Sequence, residues 1–240
     1  MQPNSQQLVS RIVVFAGLGE AERADIGAAV RWTRYRGRTQ IVSEGDPSTD
    51  VFFVAEGTIQ AKSFAANGKE VTYIDIGAGS LFGEFSAIDG QARSASIVTV
   101  GPAVIGRMPG PRFKALMLAH PQMHMAVTEL LVGKVRDLSR RVFEFSTLNV
   151  CSRIHAELIR MLPEAGGAET ANGGTRGAAA VIQPAPTHQE LASRISTHRE
   201  AVTRELNYLA RIGVLSLGRR RIDILDLDRL RRMSEALHEA

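Results

Sequence analysis

One cysteine, Cys151, stands in a chain of 240 residues. A single thiol excludes an internal disulfide and most thiolate metal sites. Long apolar runs are also missing, since no stretch approaches the ~20 residues that a membrane helix needs. Residues 1–10 are polar and hold no apolar stretch of the secretory kind. A cytoplasmic location with no membrane attachment is therefore expected. No nucleophile–base constellation and no metal-ligand spacing stand out, which argues against an enzyme and against a bound metal. What is present is an ordinary globular composition, 44% hydrophobic and 22% charged, able to bury a core. The length allows one large domain or two modest ones.

The formal net charge is +4. Residues 187–221 hold seven arginines (194, 199, 204, 211, 219, 220 and 221) against three glutamates (190, 200 and 205), a local excess equal to the whole net charge. No lysine shares the stretch. Arginine forks suit phosphate and guanine, so this segment is a candidate nucleic-acid surface.

The residue pattern changes twice along the chain. The first ~35 residues read as helical, with Leu8, Ile12, Val13 and Leu18 in one segment and a second over 20–32. Short β-branched runs follow at 39–42, 51–55, 58–63, 71–76, 95–100 and 103–108, separated by Gly, Asp, Asn and Pro. They predict an antiparallel all-β unit, with Asn67-Gly68 as a hairpin turn. Helical spacing returns at 112–119 and over 122–149. In the long segment Thr128, Leu131, Val135, Leu138, Val142 and Phe145 recur by alternating steps of three and four, a coiled-coil seam of about three heptads. Lys134, Arg136, Asp137, Arg140, Arg141 and Glu144 fill the other faces. A narrow apolar seam with polar flanks predicts a homodimer through this helix. A helix over 151–162 ends at Pro163, and 164–180, rich in Gly and Ala, reads as a flexible loop. Cys151 is expected to be a small buried residue at the junction of the two helices.

Thr187-His188-Gln189-Glu190 is a capping box that opens a short helix ending near Arg194. A turn over 195–197 leads to a second helix over 198–212, with Val202, Leu206 and Leu209 on one face and Arg199, Glu200, Thr203 and Arg204 on the other. Helix, short turn, helix is the geometry that lays a second helix in the DNA major groove. Arginine donates two bonds to guanine, and glutamate accepts from cytosine N4. Glu200 has a second role open to it, because Thr197-x-x-Glu200 is itself a capping box. His198 either contacts phosphate or simply begins the helix. Two short strands around 218–221 predict a wing whose Arg219 and Arg220 meet backbone phosphate.

With these residues in view, the sequence resembles the cyclic AMP receptor protein and fumarate-nitrate regulator (CRP/FNR) superfamily over residues ~12–225. Gly83-Glu84-Phe85 with Arg93-Ser94-Ala95 resembles the phosphate-binding cassette of cyclic-nucleotide sensors, and Arg199-Glu200-x-x-x-Arg204 resembles the recognition helix. Glu44-Gly45-Asp46, Gly57 and Leu148-Asn149-Val150 are supporting matches. The resemblance implies an α+β chain in three parts: a cyclic-nucleotide-binding β-roll (jelly-roll) over 1–121, a dimerisation helix and hinge over 122–149, and a winged helix-turn-helix over 150–240. It implies cyclic AMP or cyclic GMP as allosteric effector, a palindromic operator in double-stranded DNA, and RNA polymerase as partner.

Chemistry agrees with that cassette. Arg93 can neutralise a cyclic phosphate, Ser94 and the Ala95 N–H can donate to its oxygens, and Glu84 can accept from the ribose 2′-hydroxyl. The other reading of Glu84 and Arg93 is an ion pair inside the roll. The resemblance sets Leu138 where a threonine lies near the base, and matches Ser139 to a serine that reaches across from the partner subunit. Loss of that hydroxyl leaves the choice of base open. The cysteine cluster of the iron–sulfur branch is missing. A regulator that binds DNA without any ligand, its cassette vestigial, is the alternative.

Overall fold

A computed structural model of the chain describes residues 5–64, 70–162 and 179–235. The chain divides into two compact units, Met1–Arg136 and Asp137–Ala240. In the first, α1 (Ser5–Val9), a 3-10 turn (Val13–Phe15) and α2 (Glu20–Ala29) precede eight strands: β1 (Arg31–Tyr35), β2 (Gln40–Val42), β3 (Val51–Glu56), β4 (Ile59–Phe64), β5 (Glu70–Ile76), β6 (Leu81–Phe82), β7 (Ser96–Thr99) and β8 (Ala103–Met108). A short α3 (Glu84–Asp89) lies between β6 and β7, and α4 (Gly110–Ala119) and α5 (Pro121–Thr147) follow β8.

The strands form two antiparallel sheets, in the orders β1-β8-β3-β6 and β2-β7-β4-β5. Their inner faces meet in one apolar layer, where Phe52, Val54 and Ile105 of the first sheet join Val42, Ile59, Ala61 and Ile97 of the second. The alternate residues of β3, Val51 and Phe53, point the other way into a layer with Phe15, Ile26, Phe113, Met123 and Val127. Burial on both faces is why β3 reads as an unbroken apolar run instead of an alternating one. Phe53 has its ring 4.9 Å from Phe15 and 6.3 Å from Phe113, so truncation to Ala is expected to cost about 3–5 kcal/mol. Between β3 and β4 the chain turns at Gly57, φ +88°, where a Cβ would lie 2.5 Å from the Pro102 carbonyl oxygen.

The six expected strands are present, and the structure adds β1 and β6. Residues 31–35 fall at the end of the region that reads as helical in the sequence. They form an edge strand whose side chains are mostly exposed, so no apolar alternation marks them. Two-residue β6 and six-residue α3 are too short to show a period. The Asn67-Gly68 turn lies outside the described residues, although Phe64 and Glu70 on either side are antiparallel partners. Most of the expected loop at 164–180 lies outside them as well.

The second unit takes the C-terminal part of α5, then α6 (Val150–Arg160), β9 (Ala180–Ile182), α7 (His188–Arg194), α8 (Arg199–Arg211), β10 (Leu215–Gly218), β11 (Arg221–Ile224) and α9 (Leu227–Glu235). Asn149 caps α6 by accepting from the Ser152 N–H at 3.0 Å. Strands pair in the order β10-β11-β9. Ile154, Leu158, Leu191, Val202, Leu206, Leu209, Val214, Ile222 and Leu230 close a core of helices against this small sheet. That is a winged helix.

Candidate ligand cassette and nucleic-acid interface

Gly83 joins β6 to α3 in the left-handed region, φ +82°, and a Cβ there would stand 2.5 Å from Arg93 Nη1 and 2.7 Å from the Asp50 carbonyl oxygen. Any other residue would fill the space the guanidinium occupies. Arg93 is 5% exposed. Its Nη1 donates to the Gly83 carbonyl at 3.1 Å, and its Nη2 donates to the Asp50 carbonyl at 2.7 Å and to Ser48 Oγ at 2.9 Å. The Phe52 ring lies under it, 5.5 Å from centroid to Cζ. Among the described residues no carboxylate is at ion-pair distance, and Nε has no partner. Burial draws its pKa below the ordinary arginine value, against the opposing pull of Asp50 and Asp46.

The Glu44-Gly45-Asp46 turn explains its own presence here. Gly45 N–H donates to the Arg93 carbonyl and Arg93 N–H to the Asp46 carbonyl, each at 2.9 Å, while Glu44 N–H donates to Ser96 Oγ at 3.0 Å. The turn clamps the backbone of the cassette. Glu84, 2% exposed, does not pair with Arg93: Lys134 of α5 donates to its Oε1 at 2.6 Å, with Nζ 5.3 Å from the Phe85 ring centroid. Lys134 is the cassette residue that sequence reasoning missed. The sequence marks it only as a polar residue beside the seam, and only the fold carries position 134 to position 84. Phe85 and Ser94 are exposed and Ala95 is half-buried. The donor set suits an anionic ligand. An arginine has five N–H donors and three bonds here use them, so Arg93 keeps two, beside the Ser94 hydroxyl and the Glu84 acceptor.

On α5, Met123 and Val127 are buried in the first unit, and Leu131 packs against the same core. Leu131 is therefore partly covered within its own subunit. Val135, Leu138, Val142 and Phe145 are exposed, as is Ser139; Leu138 and Ser139 belong to the second unit.

In the winged helix, the expected capping box forms: Thr187 Oγ1 accepts from the Glu190 N–H at 3.2 Å and Glu190 Oε2 from the Thr187 N–H at 2.7 Å. The turn into α8 is set by Thr197 N–H donating to the Ala192 carbonyl at 3.0 Å, by Arg153 Nη1 donating to the Ile195 carbonyl at 3.1 Å, and by Ser196 at φ +55°. Val202, Leu206 and Leu209 are fully buried. Arg199, Glu200 and Arg204 are exposed together on the other side.

Several details differ from the sequence reading. The N-cap of α8 is His198, exposed and making no side-chain cap. Glu200 thus falls at the second helical position, one short of where a capping box needs it. Thr203 is half-buried, and its hydroxyl donates to the Arg199 carbonyl at 2.9 Å and lies 2.7 Å from His188 Nδ1. Those contacts tie α8 to α7 and leave the hydroxyl less available than expected. Two of the seven arginines are internal: Arg194 lies 3.4 Å from Glu157, and Arg221 lies 2.6 Å from Asp223 and donates to Gln183 at 2.9 Å. Arg219 and Arg220 are exposed at the tip of the wing.

Behind α8, Glu205 is buried, with Oε1 2.7 Å from Nε2 of the buried His155. No local sequence signal marks either residue. Cys151, expected to be buried, is exposed: Val150, Ile154 and Leu158 pack into the core along one face of α6, and Cys151 lies off that face. Partial burial and the neighbouring Glu205 push its thiol up to about 11.

A β-roll with a buried cationic cassette and a winged helix with an exposed Arg-Glu-Arg face define a class: a DNA-binding transcription regulator with a sensor domain. Residues 32–120 match the family model of the cyclic nucleotide-binding domain, and residues 152–233 that of the Crp-like helix-turn-helix domain. The cAMP-activated global transcriptional regulator CRP of Haemophilus influenzae is 26% identical over 177 residues, 73% of this chain and 75% of that protein. The cyclic AMP receptor protein of Thermus thermophilus is 29% identical over 178 residues, 74% of this chain and 76% of its own. A CooA mutant from Carboxydothermus hydrogenoformans shares the fold, with a TM-score of 0.75 at 18% identity, covering 93% of this chain and 95% of that one. The chain belongs to the CRP/FNR family of transcription regulators. None of its helices, among the described residues, is long and apolar enough to cross a membrane.

Proposed function

We propose that this regulator is allosterically controlled by a cyclic purine mononucleotide, cyclic AMP before cyclic GMP, held by Gly83, Glu84, Phe85, Arg93, Ser94 and Ala95. The observation that carries the reading is Arg93: a buried guanidinium anchored on carbonyl oxygens, without a carboxylate partner among the described residues, beside an exposed Ser94. A cation in that setting has its positive charge uncompensated at short range, and an anion that reaches it gains a charge-assisted bond in a weakly screened place. The related cAMP-activated regulators favour cyclic AMP. The three-part division at 1–121, 122–149 and 150–240 stands as part of the proposal.

The exposed apolar residues of α5 (Val135, Leu138, Val142 and Phe145) support a homodimer, with Leu138 and Ser139 reaching the nucleotide of the partner subunit. Two copies of α8, presenting Arg199, Glu200 and Arg204, would then read a palindromic operator one DNA turn apart. Thr187, His198, Thr203, Arg219 and Arg220 complete the DNA-facing set, on phosphate or at the edge of the reading face. The regulator acts in the cytoplasm and passes its signal to RNA polymerase. Calorimetry of cyclic AMP and cyclic GMP on protein freed of endogenous ligand tests this, with each titration repeated in the presence of palindromic DNA. Micromolar binding that strengthens with DNA is the expected result, and no heat from either nucleotide sinks the sensor half.

A ligand-independent regulator is the second reading. One observation favours it: Glu84 is already paired with Lys134, and Arg93 is already bonded to three oxygens. DNA affinity unaffected by nucleotide would decide for it.

A further inference from the structure

The C-terminal turns of α5 lie against α6 through charged side chains. Glu157 of α6 is 1% exposed, and a carboxylate taken out of water is costly unless cations surround it. Three do. Arg160, one turn on, is hydrogen-bonded to Glu157 Oε2; Arg194, the last residue of α7, lies 3.4 Å from Oε1; and Arg141 of α5 lies 3.9 Å from Oε2. Arg160 reaches back to α5 as well, where its Nη2 donates to both oxygens of Glu144 at 2.6 Å. Arg141 and Glu144 stand three residues apart on α5, as Glu157 and Arg160 do on α6. The two pairs therefore clasp the helices on either side of the 148–149 break. Burial lowers the pKa of Arg141; it opposes the charge of Arg160 too, but there Glu157 and Glu144 prevail and raise it.

Such a clasp resists bending. Swinging α6 away from α5 takes Arg141 from Glu157 and Glu144 from Arg160 in one movement, and leaves an almost fully buried carboxylate with fewer cations. On its other side Glu157 holds Arg194, immediately before the turn into α8, and Arg153 of the same helix bonds that turn at Ile195. By charge alone Arg194 belongs with the arginines of 187–221, but its place at the end of α7 ties it to this buried network.

We propose that Glu157 is a positioning residue that fixes the angle between the dimerisation helix and the winged helix, and so the distance between the two recognition helices. This rests on the dimeric, palindrome-reading function proposed above.

The test uses the full chain and fluorescence anisotropy on three kinds of duplex: a palindrome of best spacing, the same with one base pair added or removed, and a single half-site. One base pair displaces a half-site by roughly 3.4 Å and 35°. The unaltered protein is expected to prefer the best spacing by about 10-fold. Glu157→Gln and Glu144→Gln are each expected to reduce that preference to about two-fold, with half-site affinity unchanged. Glu144 lies on α5, outside the winged-helix core, so its variant decides the matter even where Glu157→Gln fails to fold. Spacing preference intact in Glu144→Gln overturns the proposal. So does an equal loss on palindrome and half-site, which would mark a purely structural role. Repeating the series with and without cyclic AMP separates the two readings: absence of a nucleotide response removes the sensor, whereas the spacing preference still judges Glu157.

Discussion

Arg93 and Arg204 carry the same side chain into opposite surroundings. Arg93 is 5% exposed, fixed by three hydrogen bonds, and set over an aromatic ring. Arg204 is exposed on α8, beside Arg199 and Glu200. The difference suits what each is proposed to meet. A small monoanion offers one charge, and only a desolvated, pre-oriented cation can hold it well against water. DNA is a polyanion whose base edges lie in a wet groove, and a reader must approach it from solvent with forks still free. Within α8 the same contrast recurs between two glutamates. Glu200 faces solvent, while Glu205 is buried against His155.

The contrast makes graded predictions. Replacing Arg93 by Leu is expected to weaken cyclic-nucleotide binding by about 4 kcal/mol, close to a thousand-fold, read by calorimetry. A loss under five-fold would mean that the buried arginine is only a strut. Next comes the thiol that sits near Glu205. With its pKa raised from 9.0 to about 11, Cys151 has less thiolate at a given pH. At pH 8 its thiolate fraction is expected to be about 100-fold below that of an unperturbed thiol, and the rate of alkylation by iodoacetamide to keep climbing until pH nears 11. Glu205→Gln removes the carboxylate and should speed it. Fast alkylation in the unaltered protein would contradict the close Glu205 contact.

On the exposed side the effects are smaller. Arg204→Ala is expected to cost about 2 kcal/mol on the specific operator, roughly 30-fold, with little change on random DNA. Equal losses on both would make it a phosphate contact. Glu200→Ala is expected to relax the choice of one base pair per half-site by about 1 kcal/mol and to leave the melting temperature unchanged. A capping role predicts the reverse, a fall in stability of about 1 kcal/mol with sequence preference intact.

Much of this was readable in the residues. Six of the eight strands of the first unit, the long helix, the capping box at Thr187 and the apolar face Val202-Leu206-Leu209 all follow from local spacing, which acts over one turn or one strand. What escaped had no local period. The edge strand β1 is mostly exposed, β6 is two residues long, and Lys134, His155 and Glu157 carry ordinary side chains at unremarked helical positions. Charge composition over 187–221 does not distinguish Arg194 and Arg221, turned inward on Glu157 and Asp223, from exposed Arg199 and Arg204.

By itself, the sequence determined the order of most elements, the polar face of α8 and the cassette motif, since each rests on side chains within a few residues of one another. Only the tertiary structure decided the partners of the charges: Lys134 on Glu84, Glu205 on His155, and Glu157 among Arg141, Arg160 and Arg194. The reason is physical. Whether a charge is left in water or must find a counter-ion depends on what packs over it, and that is settled by elements 37 to 50 residues away in the chain as readily as by neighbours.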